Sequence, residues 1–375
     1  MAAPYGEDVE EPTTWGLILF VAVALFTVAM MLVSFPAGLY TVFATSISTT
    51  IGASTLVRSL VYNFVFADVR LPIGGDLGEL FILFSAIYLV FFLLAAKQGS
   101  GLFRSLKLSM ADGYRALFSN PLSATLVMLG ATSMVTVVLD ALQTSSGVAT
   151  GSIGGDPFSL LLDFTLAPLL EETTFRLLLL GVPVLAVALF IFKGSSPQKA
   201  LRMLWRPSSA WDTDETDASP STRSFKDPDP ALFPSGTSGS LKARAMKPVV
   251  YTFLAFSSLA FGYAHYASGS GWGPGKVSEA TLAGLALGYL YIKYGFHTNV
   301  LLHWSINYVG SVYSFLALGL WGIPWTSNTG SLLDVVPSID FILLLGLPST
   351  MMVANELLRR FLKPKAERPA GPPRL

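Results

Sequence analysis

Leu160–Phe192 reads LLLDFTLAPLLEETTFRLLLLGVPVLAVALFIF, an almost wholly apolar run whose middle carries Glu171, Glu172 and Arg176. A helix this apolar reads as a membrane span, and charges inside a span are costly and rare. Arg176 lies four residues after Glu172, so on a helix the two face and neutralise each other. Glu171 is turned about 100° away from Glu172, which leaves it free to point elsewhere. One ion pair accounts for two charges, and the third needs a use. At about 1.5 Å per residue the run is longer than a hydrocarbon core of about 30 Å requires, yet too short for two spans. Pro168, Gly181 and Pro183 predict a kink.

The rest of the chain has the same character. Of 375 residues 52% are hydrophobic and only 13% charged, against about 25% charged in soluble domains. The fold class is therefore an all-α polytopic membrane protein. Lys and Arg balance Asp and Glu at 24 each, which gives no argument for a nucleic-acid partner. The absence of Cys excludes disulfides, thiolate nucleophiles and Cys-ligated metals. The acidic start MAAPYGEDVEEP does not resemble a cleavable signal peptide.

Eight spans are expected, with the active site inside the bundle: Trp15–Phe35, Leu77–Ala96, Pro121–Leu142, Leu160–Phe192, Pro248–Ala267, Glu279–Tyr294, Thr298–Trp321 and Pro337–Leu358. The sixth is short and Gly-rich, suited to close helix packing. Residues 36–76 read as a loop with an interfacial or re-entrant piece, in which Arg58 snorkels. Residues 193–247, rich in Pro, Ser, Asp, Lys and Arg, read as a flexible insertion. The domain plan is then an N-terminal membrane region (1–157), a core (158–192 and 248–321), the insertion (193–247), and a last span with a basic tail (322–375). Loop 97–120, the insertion and the tail hold most of the Lys and Arg, which predicts a cell-membrane protein with both termini cytoplasmic.

Two further polar clusters sit in apolar segments. Phe261 and His265 are four apart in AFSSLAFGYAHYAS, and His303 and Asn307 are four apart in NVLLHWSINYVG, so each pair shares a helical face. A carboxylate, two imidazoles and an amide on three spans can together activate water and hold an oxyanion, as amide hydrolysis requires. His265 falls near the outer end of its span and His303 near the inner end of its own, so tilt or a broken helix must bring them together. His297, in the turn YGFHTN, is expected to be solvated, and Asp140 and Asp163 to be interfacial.

EExxxR at Glu171, Glu172 and Arg176, FxxxH at Phe261 and His265, and HxxxN at His303 and Asn307 resemble, in order, the three motifs of the CPBP family. These are the CAAX proteases and bacteriocin-processing proteins, also called Abi, and they include the type II CAAX prenyl endopeptidases. The similarity covers roughly residues 158–310. It implies an intramembrane endopeptidase in which Glu171 and His265 activate water. His303 and Asn307 form the oxyanion site, and Glu172 and Arg176 hold the first helix in register, with Phe261 in support. The implied partners are membrane lipid and a membrane-associated or lipidated peptide or protein, and no cofactor is implied.

Other readings stay open on the residues alone. Glu171 could be a structural acid bonded to Thr174, and His303 and Asn307 could be interhelical hydrogen-bonding groups. Glu171, His265 and His303 also form the ligand set of a catalytic zinc site, although no HExxH is present. A transporter using the same groups as a proton relay, or a scaffold keeping the fold without activity, completes the alternatives.

Overall fold

A chain so rich in apolar runs has little choice but to satisfy its backbone within helices, and helices dominate the result. The computed structural model describes residues 14–48, 52–57, 60–64, 67–71, 74–191, 196–210, 241–268, 271–324 and 339–362. The helices are α1 (Thr14–Ala44), α2 (Leu77–Lys97), α3 (Leu102–Asp112), α4 (Pro121–Ser145), α5 (Pro157–Glu172) and α6 (Val182–Ile191). They continue with α7 (Pro197–Trp205), α8 (Leu241–Ala267), α9 (Gly275–Tyr294), α10 (Phe296–Trp304), α11 (Gly310–Trp321) and α12 (Ile339–Leu362). The chain is an all-α polytopic membrane protein.

Six of these stretches are long and apolar enough to cross a membrane: Trp15–Ala44, Leu77–Lys97, Pro121–Ser145, Pro157–Ile191, Ala245–Ala267 and Phe341–Arg359. The sixth and seventh expected spans, α9 and the run α10–α11, are helical but fall outside that set. Polar side chains cause the difference: α9 carries Lys276, Glu279 and Lys293, and α10 carries His297, Asn299 and His303.

The opening stretch is one continuous helical run. α5 passes into wider π-helical turns over Thr173–Gly181 before α6 resumes. Thr173 and Thr174 donate their hydroxyls back to the carbonyls of Leu169 (2.8 Å) and Leu170 (3.2 Å). Pro183 removes a backbone donor just beyond. Both disturb the regular ladder, and π-helical irregularities inside α-helices are frequent at functional sites. A second π-helical turn, Ser305–Val309, joins α10 to α11.

Three expectations need correction. α1 runs through Pro36 to Ala44 rather than ending at Phe35. The stretch read as a loop with an interfacial or re-entrant piece contains two short strand pairs. β1 (Leu56–Val57) pairs antiparallel with β4 (Gly75–Asp76), and β2 (Leu60–Phe64) with β3 (Ala67–Leu71), in keeping with the β-branched and aromatic residues there. Arg58 lies outside the described residues. The insertion is ordered at both ends: Ser196 accepts from the Lys199 backbone N–H (3.2 Å) to cap α7, and α8 begins at Leu241. Residues 211–240 lie outside the described set.

α10 is the axis of the bundle. All nine of its residues are buried, and α2, α4, α5 and α9 pack around it. Trp304 at its end is sandwiched by Phe35 (5.0 Å between ring centroids) and Tyr88 (5.3 Å), with Tyr308 at 5.1 Å. This stack joins α1, α2 and α10 by offset aromatic contact. Trp304→Ala removes its centre and should cost about 3–5 kcal/mol, read as a fall of several degrees in the thermal midpoint of the detergent-purified protein. A midpoint equal to that of the parent would deny the stack its structural role.

Candidate active site

The two adjacent glutamates have separate environments. Glu172 has a fully buried side chain and is saturated with donors. Arg176 Nη1 donates to its Oε1 at 3.0 Å, His303 Nδ1 lies 2.8 Å from the same oxygen, and the Asn299 amide donates to Oε2. Glu171 keeps 31% of its side chain exposed. Its Oε2 is buried without a hydrogen-bond partner, and His303 Nε2 stands 3.7 Å away. The Thr174 hydroxyl goes to the Leu170 carbonyl, so it does not engage Glu171.

Arg176 is held on three sides. Besides Glu172 it donates through Nη2 to the Gly284 carbonyl at 3.0 Å, and its guanidinium lies 4.3 Å from the centroid of the Phe261 ring. This approach depends on a glycine. A Cβ on Gly284 would come within 3.1 Å of Arg176 Nη2 and of Ser258 Cα, tighter than ordinary van der Waals contact.

Phe261 connects the motifs. Its ring meets His265 edge-on at 4.6 Å, His303 at 5.6 Å and Phe175 at 5.2 Å. The histidines read as lying near opposite ends of their spans therefore meet around one phenylalanine. His265 Nδ1 donates to the Phe261 carbonyl at 2.9 Å, which leaves Nε2 as the acceptor. His265, His303 and Asn307 line one cavity of about 160 Å³, together with Lys276, Glu279 and Thr136. Glu171 is not among its walls; His303 connects it to them.

Among the described residues no three His, Asp or Glu side chains are grouped so as to hold a metal ion.

Two residues read differently from the sequence. His297 is fully buried, not solvated. Its Nε2 lies 2.8 Å from Gln98 Oε1, and its ring stacks on Trp205 of α7 at 5.8 Å and 8°. Asn299 is a site residue that the motifs miss. A signal was available, because Asn299, His303 and Asn307 recur every four residues, one helical stripe in an otherwise apolar segment. Asp140 and Asp163 are exposed.

These contrasts separate an acid saturated with partners from one that is partly exposed. Glu172→Ala strands the Arg176 guanidinium, a loss of about 3–5 kcal/mol for a broken buried pair, whereas Glu171→Ala removes a group that holds no hydrogen bond at Oε2. Thermal unfolding in detergent should show a large drop for the first and a small one for the second. Equal drops would erase the distinction.

Residues 154–309 match the family model described as Type II CAAX prenyl endopeptidase Rce1-like. No curated protein and no solved structure matches the chain. The matched stretch begins just before α5 and ends with the second π-helical turn, so it contains all three motifs. The resemblance carried by those motifs thus holds over one continuous segment, and the core that contains the site is similar to the Rce1-like type II CAAX prenyl endopeptidases.

Proposed function

We propose that the chain is a glutamate-type intramembrane endopeptidase that hydrolyses a peptide bond in a membrane-associated substrate, such as a lipidated C-terminal tail. The observation that carries this reading is a partly exposed Glu171, whose Oε2 holds no hydrogen bond and faces His303, beside two imidazoles that meet around Phe261 and an amide in the same cavity. Glu171 is the general base. It takes a proton from water, and His265, whose Nε2 is an acceptor, orients that water from the other side. The hydroxide attacks the scissile carbonyl, and the oxyanion takes hydrogen bonds from His303 Nε2 and the Asn307 amide. The proton held by Glu171 then passes to the leaving amine.

His303 is suited to its part because Glu172 holds Nδ1 at 2.8 Å and fixes the ring. The oxyanion role requires an N–H at Nε2 in addition to the one that Nδ1 directs at Glu172. Side chains alone carry the reaction, with no metal. The same reading places the protein in the cell membrane with its basic loops and both termini on the cytoplasmic side.

Purified protein in detergent, given a panel of prenylated-tail and membrane peptides with a quenched fluorophore, tests this directly. Glu171→Gln should lower kcat by about 10²–10⁴-fold, and Asn307→Ala by about 10²–10³-fold, while a strong chelator leaves the parent rate unchanged. Loss to chelator with recovery on adding zinc would replace the glutamate mechanism. No cleavage of any peptide would remove the protease reading.

A further inference from the structure

A groove of about 480 Å³ opens where α1, α2 and α3 meet, within the range of about 300–1,000 Å³ that small-molecule sites occupy. Its walls are apolar: Val28 and Leu32 from α1, Phe92 and Ala96 from α2, Leu102 and Phe103 from α3. Two cations, Lys97 and Arg104, complete the lining, and no acid is among the described residues that form it. None of these residues lines the cavity of the candidate site, and all lie before the family-matched stretch. The groove is therefore independent of the protease reading.

The surroundings identify its occupant. Lys97 ends the apolar span of α2, and Arg104 lies in the first turn of α3, so both cations sit where hydrocarbon gives way to headgroups. Gly99 and Gly101 take positive φ (65° and 75°), a conformation that favours glycine, and turn the chain directly into α3. α3 buries Leu102, Ser105, Leu106 and Ser109, while Phe103 (77% exposed), Arg104, Lys107 and Met110 face outward. A large aromatic and a methionine turned outward beside two cations suit a helix lying at the membrane interface. The groove also runs into apolar surface: Leu32 is 42% exposed, and Val33, Leu93 and Leu94 beside it are exposed too.

A free phosphate would satisfy the cations and leave the apolar walls unused, and a neutral chain would do the reverse. An occupant with both parts uses both. We propose that the groove binds an anionic phospholipid of the bilayer. Its phosphate lies between Lys97 and Arg104, and one acyl chain runs along Val28, Leu32 and Phe92. Basic pockets between membrane helices bind lipid headgroups by this same combination of charge and apolar contact.

The full chain is reconstituted in phosphatidylcholine vesicles holding a trace of phosphatidylglycerol, or of phosphatidylcholine, with a diazirine in one acyl chain. After irradiation the labelled positions are read by mass spectrometry, with exposed Leu343, Leu344 and Leu347 of α12 as the reference for bulk lipid. Relative to that reference, residues 28–32 and 92–104 should be labelled roughly 10–30-fold more by the anionic probe, the weight of two interfacial cations. High salt should shrink the preference. Lys97→Gln combined with Arg104→Gln should bring the ratio to near one, and Lys97→Arg alone should keep most of it. Leu32→Trp, which fills the groove and leaves its charges, should lower labelling there by both probes while α12 is labelled as before. Equal labelling by both probes in the parent, or a preference that survives loss of both cations, overturns the site. Displacement of the probe by excess prenylated peptide, but not by unlabelled phosphatidylglycerol, assigns the groove to a substrate chain and also overturns it.

Discussion

The ion pair between Glu172 and Arg176 is the constraint on which the core depends. Two charges with no exposure are stable only if nearly every remaining donor and acceptor is used. The protein meets that demand with groups from other segments: Asn299 and His303 of α10, and the Gly284 carbonyl of α9. The face of Phe261 from α8 covers the guanidinium. Among these groups Arg176 Nε and Asn299 Oδ1 lack a hydrogen-bond partner. One pair thus fixes the mutual positions of α5, α8, α9 and α10, which are the elements that carry the candidate chemistry.

The neighbouring acid gains its freedom from the same arrangement. Because Glu172 uses both of its oxygens, His303 is held by it through Nδ1 and presents Nε2 toward Glu171. A chain with a single glutamate at this point would have to choose between binding Arg176 and meeting water. Two adjacent glutamates need not choose, since the helical turn sends them in different directions. The widened turns over Thr173–Gly181 begin immediately after them, which sets Arg176 within the irregular segment rather than on a regular α-helix. The i,i+4 pairing survives the irregularity, at 3.0 Å.

Much of this was readable before any coordinates. The long apolar runs announced α1, α2, α4, α5–α6, α8 and α12, and spacing alone paired Glu172 with Arg176. What was not readable depended on long-range packing. His297 looked like a turn residue because Gly295 precedes it, yet Trp205 from α7 closes over it. The composition of residues 193–247 suggested no structure, but a serine cap, a buried Met203 and that same tryptophan are enough to seat a short helix against the bundle. Asn299 escaped notice because its use lies in Glu172, over a hundred positions earlier in the chain. The π-helical turns leave no distinctive mark in hydropathy.

The two helical runs that fall short of membrane-span criteria, α9 and α10–α11, share the candidate site with α5 and α8, and their polarity follows from where they sit. A helix facing lipid must be apolar around most of its surface, whereas one enclosed by other helices can hold polar groups wherever partners exist. α10 is enclosed on all sides by α2, α4, α5 and α9, so Thr298, Asn299 and His303 never meet hydrocarbon. α9 is enclosed on the face that carries Gly284 and Gly288, and those glycines let α8 approach closely enough for Phe261 to reach Arg176 and both histidines. The six apolar stretches supply the envelope in which such polar helices become affordable. Low apolarity at the centre is therefore a consequence of enclosure and not a weakness of the span.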